Sequence, residues 1–377
     1  MSEHQVVAFR AIDKPISEKN LEYMRQQSSR AEITAWSFDN EYHYGDFRGD
    51  SLEMMRRGYD IHLHYADFGI RKLLIRLPGG LPDKAAVKPY LMKSGLDFEP
   101  DKQGSGGTLC IEPYIEAGEL EGLWEIDELI ERLLPLRAEI LDGDLRPLYV
   151  AHLAIASDGN HDPDKTKESP VPAGLGQLTD AQEALAIFFG LGDSLIAAAA
   201  KGAPPLLAKS GVDNDYAGWL RGQSQSTKDG WLVQWMSDPS AGTRAEMLAA
   251  FRKSQNLPSW PTARLDRTIA ELNSTADAVQ KESQRKVAEI LARARALRIA
   301  EMTADPTLTL RETEKLVKER TGSAYTKIAK LLVELREAQA GTKQSGLAEE
   351  QALKLKVANP TLRLLVSELR KVGFLPK

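Results

Sequence analysis

The chain has 377 residues, 42% apolar and 27% charged. That is the make-up of a folded protein of two to three domains, and no run approaches the roughly 18 apolar residues of a membrane span. The N-terminus lacks a basic region followed by an apolar stretch and Cys110 is the single cysteine, so a cytoplasmic chain without an intrachain disulfide or cysteine-cluster zinc site is expected. The net charge of −5 is unevenly spread: residues 262–377 carry 22 Lys and Arg against 15 Asp and Glu, leaving 27 against 39 for the rest. The basic third is expected to face either the acidic part or a polyanion.

In chain order, Ser17 to Arg30 has the spacing of a helix with Leu21 and Met24 inward, and Ala31 to Phe38 reads as a strand. Asp50 and Glu53 have capping-box spacing and open a short helix through Met54, Met55 and Arg57. Ile61-His62-Leu63-His64-Tyr65 alternates, Ala66-Asp67-Phe68-Gly69 turns, and Ile70 to Leu77 returns, which predicts a hairpin. Thr108 to Ile115 reads as a further strand; strands are expected within about 31–115 and none from Trp124 onward.

Helices are predicted at Trp124 to Leu134, Pro135 to Leu141 and Leu145 to Ala156. Residues 158–178, rich in Pro and Gly, read as a linker or long surface loop. Thr179 and Gln182 form a capping box, and helices follow at 180–189, 194–201, 213–222, 226–237 and 243–254, with Trp219, Trp231 and Trp235 as expected core anchors.

Pro261 to Asp305 is one long helical pattern without Gly or internal Pro. Thr262 can cap it, and Leu265, Ile269, Leu272, Ala276 and Val279 follow the 4-3-4-3 spacing of a coiled-coil seam. A helix of about 42 residues runs roughly 60 Å, too long for one compact domain to cover. The seam slips where Ser283 and Lys286 fall on apolar positions, and Val287, Ile290, Ala294 and Leu297 resume one step later, as in a helix that changes partners. Beyond it, Thr309 with Glu312 and Ser323 each start a helix, Gly/Ser residues at 341–346 interrupt, and Asn359 with Pro360 opens a last helix closed by Gly373.

Two stretches support a resemblance. Arg320-Thr-Gly-Ser-Ala-Tyr-Thr-Lys-Ile-Ala-Lys-Leu-Leu-Val-Glu-Leu-Arg336, after an Arg/Ala/Glu-rich helix, resembles the helical tails of uncharacterised bacterial proteins, some of which carry a SWIM-type zinc finger. Tyr44-Gly-Asp-Phe-Arg-Gly-Asp50, the following hairpin and Leu134-Pro-Leu-Arg-Ala138 also resemble bacterial proteins of unknown function. The resemblance implies no activity. The SWIM cysteines and histidine are absent, so no metal role follows from it.

Several strings imitate catalytic motifs. Gly159-Asn160-His161-Asp162 with Asp60-Ile61-His62 imitates part of a dinuclear-metal phosphoesterase, but no histidine follows His161 to complete the ligand set. Asp67-Phe68-Gly69 matches the kinase magnesium loop without the glycine-rich loop, strand lysine or catalytic-loop aspartate before it, and so reads as a hairpin turn. Gly104-Ser105-Gly106-Gly107 precedes a strand and no Gly-Lys-Ser/Thr follows, which excludes a P-loop.

The remaining cluster is His62 and His64 on one strand face, with His43 and the acids Glu41, Asp46 and Asp60 nearby. Histidines at i and i+2 bind one metal if a third ligand converges; otherwise the spacing merely places polar residues on one side of a sheet.

The expected architecture is an α+β domain over 1–157, a connecting segment over 158–178, a helical domain over 179–260, the long helix over 261–305 and a C-terminal helical bundle over 306–377. The leading expectation for function is a non-enzymatic interaction or scaffold protein that uses its long helix and C-terminal helices to hold a protein partner or a second copy, with Leu265, Ile269, Leu272 and Val279 as the partner-binding residues and no cofactor. One alternative is phosphate binding on nucleic acid through the basic C-terminal helices, with Lys281, Arg285, Lys286, Arg293, Arg295 and Arg298 along the long helix and Lys327, Lys330, Arg363, Arg370 and Lys371 beyond it. The other is a metal-dependent enzyme with its site near His62 and His64.

Overall fold

The alternating strands around His62 and His64 lie at the centre of an antiparallel sheet. The computed structural model describes residues 4–43, 45–102, 106–114, 126–206, 215–237, 243–254 and 260–376. In chain order come β1 (Gln5–Arg10), α1 (Glu18–Gln27), β2 (Glu32–Ile33), β3 (Ser37–Tyr42), α2 (Ser51–Arg56), β4 (Ile61–Ala66), β5 (Ile70–Leu77), α3 (Lys84–Val87), β6 (Leu96–Pro100) and β7 (Gly107–Ile111). These seven strands form one sheet in the order β2-β3-β1-β4-β5-β7-β6, with all neighbours antiparallel.

Period two assigns the faces. Ile61, Leu63, Tyr65, Leu73, Ile75 and Leu77 enter one core, whereas Val7, Phe9, Phe38 and Leu74 enter a second with Leu21, Met24, Met54, Met55 and Tyr59. At the β4–β5 turn, Gly69 has φ +116° and its N–H donates to the Ala66 carbonyl at 3.1 Å. A side chain would strain that backbone, so Asp67-Phe68-Gly69 is a turn for conformational reasons.

Three strand expectations are corrected. β1, a central strand, lies before residue 31; its run Val6-Val7-Ala8-Phe9 is buried on both faces and shows no alternation. Ala31 to Phe38 is not one strand, because Thr34 Oγ1 accepts from the N–H groups of Trp36 and Ser37 and turns the chain between β2 and β3. The strand read to Ile115 ends at Ile111. Tyr44, Gly104, Ser105, Ile115 and Trp124, with their part of the calls above, lie outside the described residues.

Next come α4 (Ile126–Leu133), α5 (Pro135–Leu141), α6 (Arg146–Ala156), β8 (Val171–Pro172), α7 (Asp180–Phe188), α8 (Asp193–Ala200), α9 (Tyr216–Gly222), α10 (Gln225–Ser237), α11 (Thr243–Ser254), β9 (Thr262–Ala263) and α12 (Ile269–Ala304). Every residue of α6 is buried; its Arg146 pairs with Asp144 at 2.6 Å, and the Tyr90 carbonyl accepts from His152 at 3.0 Å. The α7 capping box forms as expected, with Thr179 accepting from Gln182 N–H and Gln182 Oε1 accepting from Thr179 N–H. Trp219 and Trp231 are half-buried with Phe251 between α9, α10 and α11, but Trp235 is 58% exposed. Apart from Gln234 the run Trp231 to Met236 is apolar, and Leu232, Val233, Trp235 and Met236 are all more than half exposed.

The chain divides into two compact units, Met1–Gln280 and Lys281–Lys377, with the boundary inside α12. In the second unit, α13 (Thr307–Leu316), α14 (Gly322–Gln339), α15 (Leu347–Ala358) and α16 (Arg363–Lys371) enclose a core of Met302, Leu316, Ile328, Leu332, Leu335, Leu355, Leu365 and Leu369. Three expected caps move. Ser323 lies inside α14, whose cap is Thr321, accepting from Ala324 N–H at 3.2 Å. Thr309 is buried inside α13, whose first turn is held by Asp305 accepting from Thr307 N–H at 2.9 Å. Asn359 ends α15, donating its N–H to the Leu355 carbonyl at 3.1 Å, instead of starting α16. Among the described residues no helix is long and apolar enough to cross a membrane.

Residues 158–178 belong to the first unit: Ser169, Val171, Ala173 and Leu175 are buried, and β8 pairs with β9. The β8–β9 pair is a strand ladder beyond Trp124, and it explains why α12 begins at Ile269 and not near Thr262. Thr268 and Glu271 supply the cap, Thr268 Oγ1 accepting from Glu271 N–H and Glu271 Oε2 from Thr268 N–H.

A buried ion pair fastens this segment. The Glu168 carboxylate, 1% exposed, accepts from Arg267 Nη2 at 2.8 Å, from Arg267 Nε and from the Tyr149 hydroxyl. Removing one partner of a buried pair leaves an uncompensated charge and costs roughly 3–5 kcal/mol. Glu168→Gln is therefore expected to lower urea stability of the first unit by about that amount, and Glu168→Gln with Arg267→Met to recover most of it. Equal losses in the single and double variants would show that packing, and not charge, sets the cost.

Candidate functional site

The register of β4 places His62 opposite Phe9 and Leu74, and His64 opposite Val7 and Lys72. Both imidazoles therefore share the sheet face covered by α1 and α2, their ring centroids 6.2 Å apart. His62 is fully buried and stacks on Phe9 with centroids 3.9 Å apart. Its Nδ1–H donates to the Ala8 carbonyl at 3.1 Å, while Nε2 has no partner. His64 Nε2–H donates to Gln5 Oε1 at 2.9 Å, and the same oxygen accepts from Phe47 N–H.

Burial holds His62 well below the ordinary imidazole range. For His64, burial first and the Lys72 ammonium second push the pKa down to about 4. Both rings are neutral at pH 7. A ring sealed under Phe9 cannot reach a substrate, so His62 serves packing and not proton transfer.

Of the other members of the sequence cluster, Asp46 acts on His64 only through its charge, and His43, Glu41 and Asp60 do not join the two rings. His43 is exposed; its Nε2 lies 3.6 Å from Glu41 Oε1, which also pairs with His4 Nε2 at 2.8 Å. Asp60 turns to the backbone, accepting from Ile12 N–H at 2.6 Å and facing Arg137 at 3.3 Å. His161 donates to Asp158 Oδ1 at 2.7 Å within its own loop. Among the described residues no group of three or more His, Cys, Asp or Glu side chains is arranged to hold a metal ion. On the same sheet face Cys110 lies half-buried opposite Leu74 and Asp97.

The long helix tells more. Of the residues expected to bind a partner, Ile269 and Leu272 are fully buried with Ala276 in the core of the first unit, and Val279 packs against that core. This corrects the expected seam: the chain itself fills Ile269 and Leu272, and Leu265, before the helix, is 38% exposed. Beyond the seam, every residue from Ser283 to Arg298 is exposed. Val287 (53%), Ile290 (65%), Leu291 (64%) and Leu297 (68%) stand among them. At 100° per residue these four and Ala294 fall on one side of the helix. Leu291 escaped the sequence seam because a strict alternation of three and four residues skips it; the broader face of an ordinary amphipathic helix includes it.

The basic residues around this stripe are partly paired. Arg285 sits 2.8 Å and Lys286 3.6 Å from Glu282, Arg298 lies 3.5 Å from Glu334, and Arg295 pairs with Glu337. Glutamates at these distances break up the continuous positive field that phosphate binding along this helix requires.

The histidines give a pH prediction. Because both folded pKa values are depressed, the unfolded chain takes up protons first; the contribution of these two rings is constant well above about pH 6.5 and is lost as pH falls below it, by up to about 1.4 kcal/mol per pH unit for each ring. His64→Gln is expected to flatten the fall in urea stability between pH 6.5 and 5 by about one proton's worth. A profile identical to the parent chain would show that His64 titrates alike in both states.

Comparison with protein families, with characterised proteins and with solved structures returned no match.

Proposed function

We propose that the chain is a non-enzymatic interaction protein that docks a helical partner on the exposed middle of α12. The observation that carries this reading is the bare stretch from Ser283 to Arg298, with Val287, Ile290, Leu291 and Leu297 each more than half exposed on one side. A helix in water draws most of its stability from covering its apolar face, and a contiguous exposed apolar patch marks an interaction surface. The buried histidines, by contrast, offer no accessible acid or base.

The docking surface therefore lies further along the helix than the seam from Leu265 to Val279. Its spacing suits helix-in-groove or helix-on-helix recognition, in which anchors recur at i, i+3, i+4 and i+7.

A photo-crosslinking amino acid at Leu291 is expected to yield a covalent adduct in native extract, several-fold above the same group at Ala296 on the opposite side. Ile290→Asp is expected to abolish the adduct while leaving the melting temperature unchanged, since both positions are exposed. Equal yields at Leu291 and Ala296, or no adduct at either, would sink the reading.

A further inference from the structure

The basic surplus of the chain is concentrated in the second unit, where residues 281–377 carry 20 Lys and Arg against 12 Asp and Glu. Along α12 glutamates pair with Arg285, Lys286, Arg295 and Arg298, but α13 is different. At 100° per residue Arg311, Lys315 and Lys318 fall on one side of α13 and the turn that ends it, opposite buried Thr309, Thr313 and Leu316, and all three are exposed. Among the described residues no ion pair engages them, nor Arg320 just beyond. The acids at the two margins are already taken: Glu312 pairs with Lys327 at 2.9 Å and Glu314 with Lys354 at 2.6 Å. Asp305, within reach of the Arg311 charge, accepts from Thr307 N–H. Glu319 is the one unpaired acid of residues 306–333.

The chain turns sharply between α13 and α14. Val317–Glu319 form a tight turn, Arg320 takes φ +53°, and Thr321 caps α14. The two helices pack on each other, burying Leu316, Val317, Ala324, Tyr325 and Ile328 in one core. That leaves Ser323, Thr326, Lys327 and Lys330 outward on the first turns of α14, with no acid before Glu334. Two packed helices joined by a tight turn, cations on the first and hydroxyls with lysines on the start of the second, suit a duplex: the first helix crosses the phosphates and the second enters the major groove.

We infer that this surface binds duplex DNA, with Arg311, Lys315, Lys318 and Arg320 on phosphates and Ser323, Thr326 and Lys330 toward base edges. A single strand is held by aromatic faces on which its bases stack. The second unit has two aromatic residues: Tyr325 is 3% exposed, and Phe374 packs against the core beneath Arg336. Neither offers a platform for bases. An RNA duplex keeps its major groove too deep and narrow for side chains to read, so DNA is the duplex that α14 fits. None of these residues belongs to the apolar stripe of α12, and the inference stands apart from the docking reading.

The test uses the full chain and a short labelled DNA duplex, followed by fluorescence anisotropy across a salt series. Four phosphate contacts give a slope of about −3.6 in log affinity against log salt, so binding is expected to weaken roughly 150-fold between about 50 and 200 mM salt. Lys315→Ala should reduce that slope by about one and weaken binding severalfold, and Thr326→Asp should abolish binding. Lys343→Ala, exposed on the connection between α14 and α15, should leave it unchanged. Circular dichroism of each variant is expected to match the parent chain, since all three positions are exposed. Absence of binding at low salt would overturn the inference, as would binding that survives Lys315→Ala combined with Lys318→Ala. Equal affinity for single strands would overturn the duplex assignment. Equal affinity for vesicles of anionic phospholipid, lost in the same variants, would overturn it in favour of a membrane surface.

Discussion

The pairing of β4 between β1 and β5 fixes which side chains meet which layer. In that register Ile61, Leu63 and Tyr65 point into the core shared with α6 and α7, while His62 and His64 point toward α1 and α2. A slip of one residue would exchange the two sets and set imidazoles among aliphatic side chains. The burial of His62, its stack on Phe9 and its neutral state all follow from this register. His43 is kept apart for another reason, since it lies one residue past the end of β3 and is exposed.

The helical layer makes the next demand. A helix as long as α12 presents more apolar surface than one core can take. Its first turns give Ile269, Leu272 and Ala276 to the first unit, and its last give Met302, with Ile299 packed alongside, to the second. The turns between have neither. Their ion pairs, Arg285 and Lys286 with Glu282, are exposed and screened by solvent, so they support the helix only weakly. That support is small beside the burial of four large apolar side chains, each contributing roughly 1.5–3 kcal/mol when fully covered.

Much of this was legible from local chemistry. The β4–β5 hairpin carries alternation and a glycine turn, α7 carries a reciprocal cap, and α14 carries its inward face at helical spacing. Elements without local signals escaped. β1 is a short run buried on both sides, and nothing in Gln5–Arg10 marks it as the centre of a sheet. Residues 158–178 look like a linker because Pro and Gly dominate, yet β9 and Arg267, about a hundred residues away, pull them into the core. The histidine cluster was half right: His62 and His64 do share a face, but whether that face is wet or buried depends on α1 and α2. The slip in α12 at Ser283 was visible, and it marks where the helix leaves one core; which side of the slip was already occupied could not be read from spacing.

Cys110 carries a last consequence. Burial pushes its thiol up to about 11, so at neutral pH almost none of it is thiolate. Oxidants and electrophiles react with the thiolate, and this sulfur offers them little to attack. With no second cysteine in this sequence to pair within the chain, Cys110 gives this fold no intrachain thiol–disulfide switch, and what it adds to stability is the packing of a small apolar side chain.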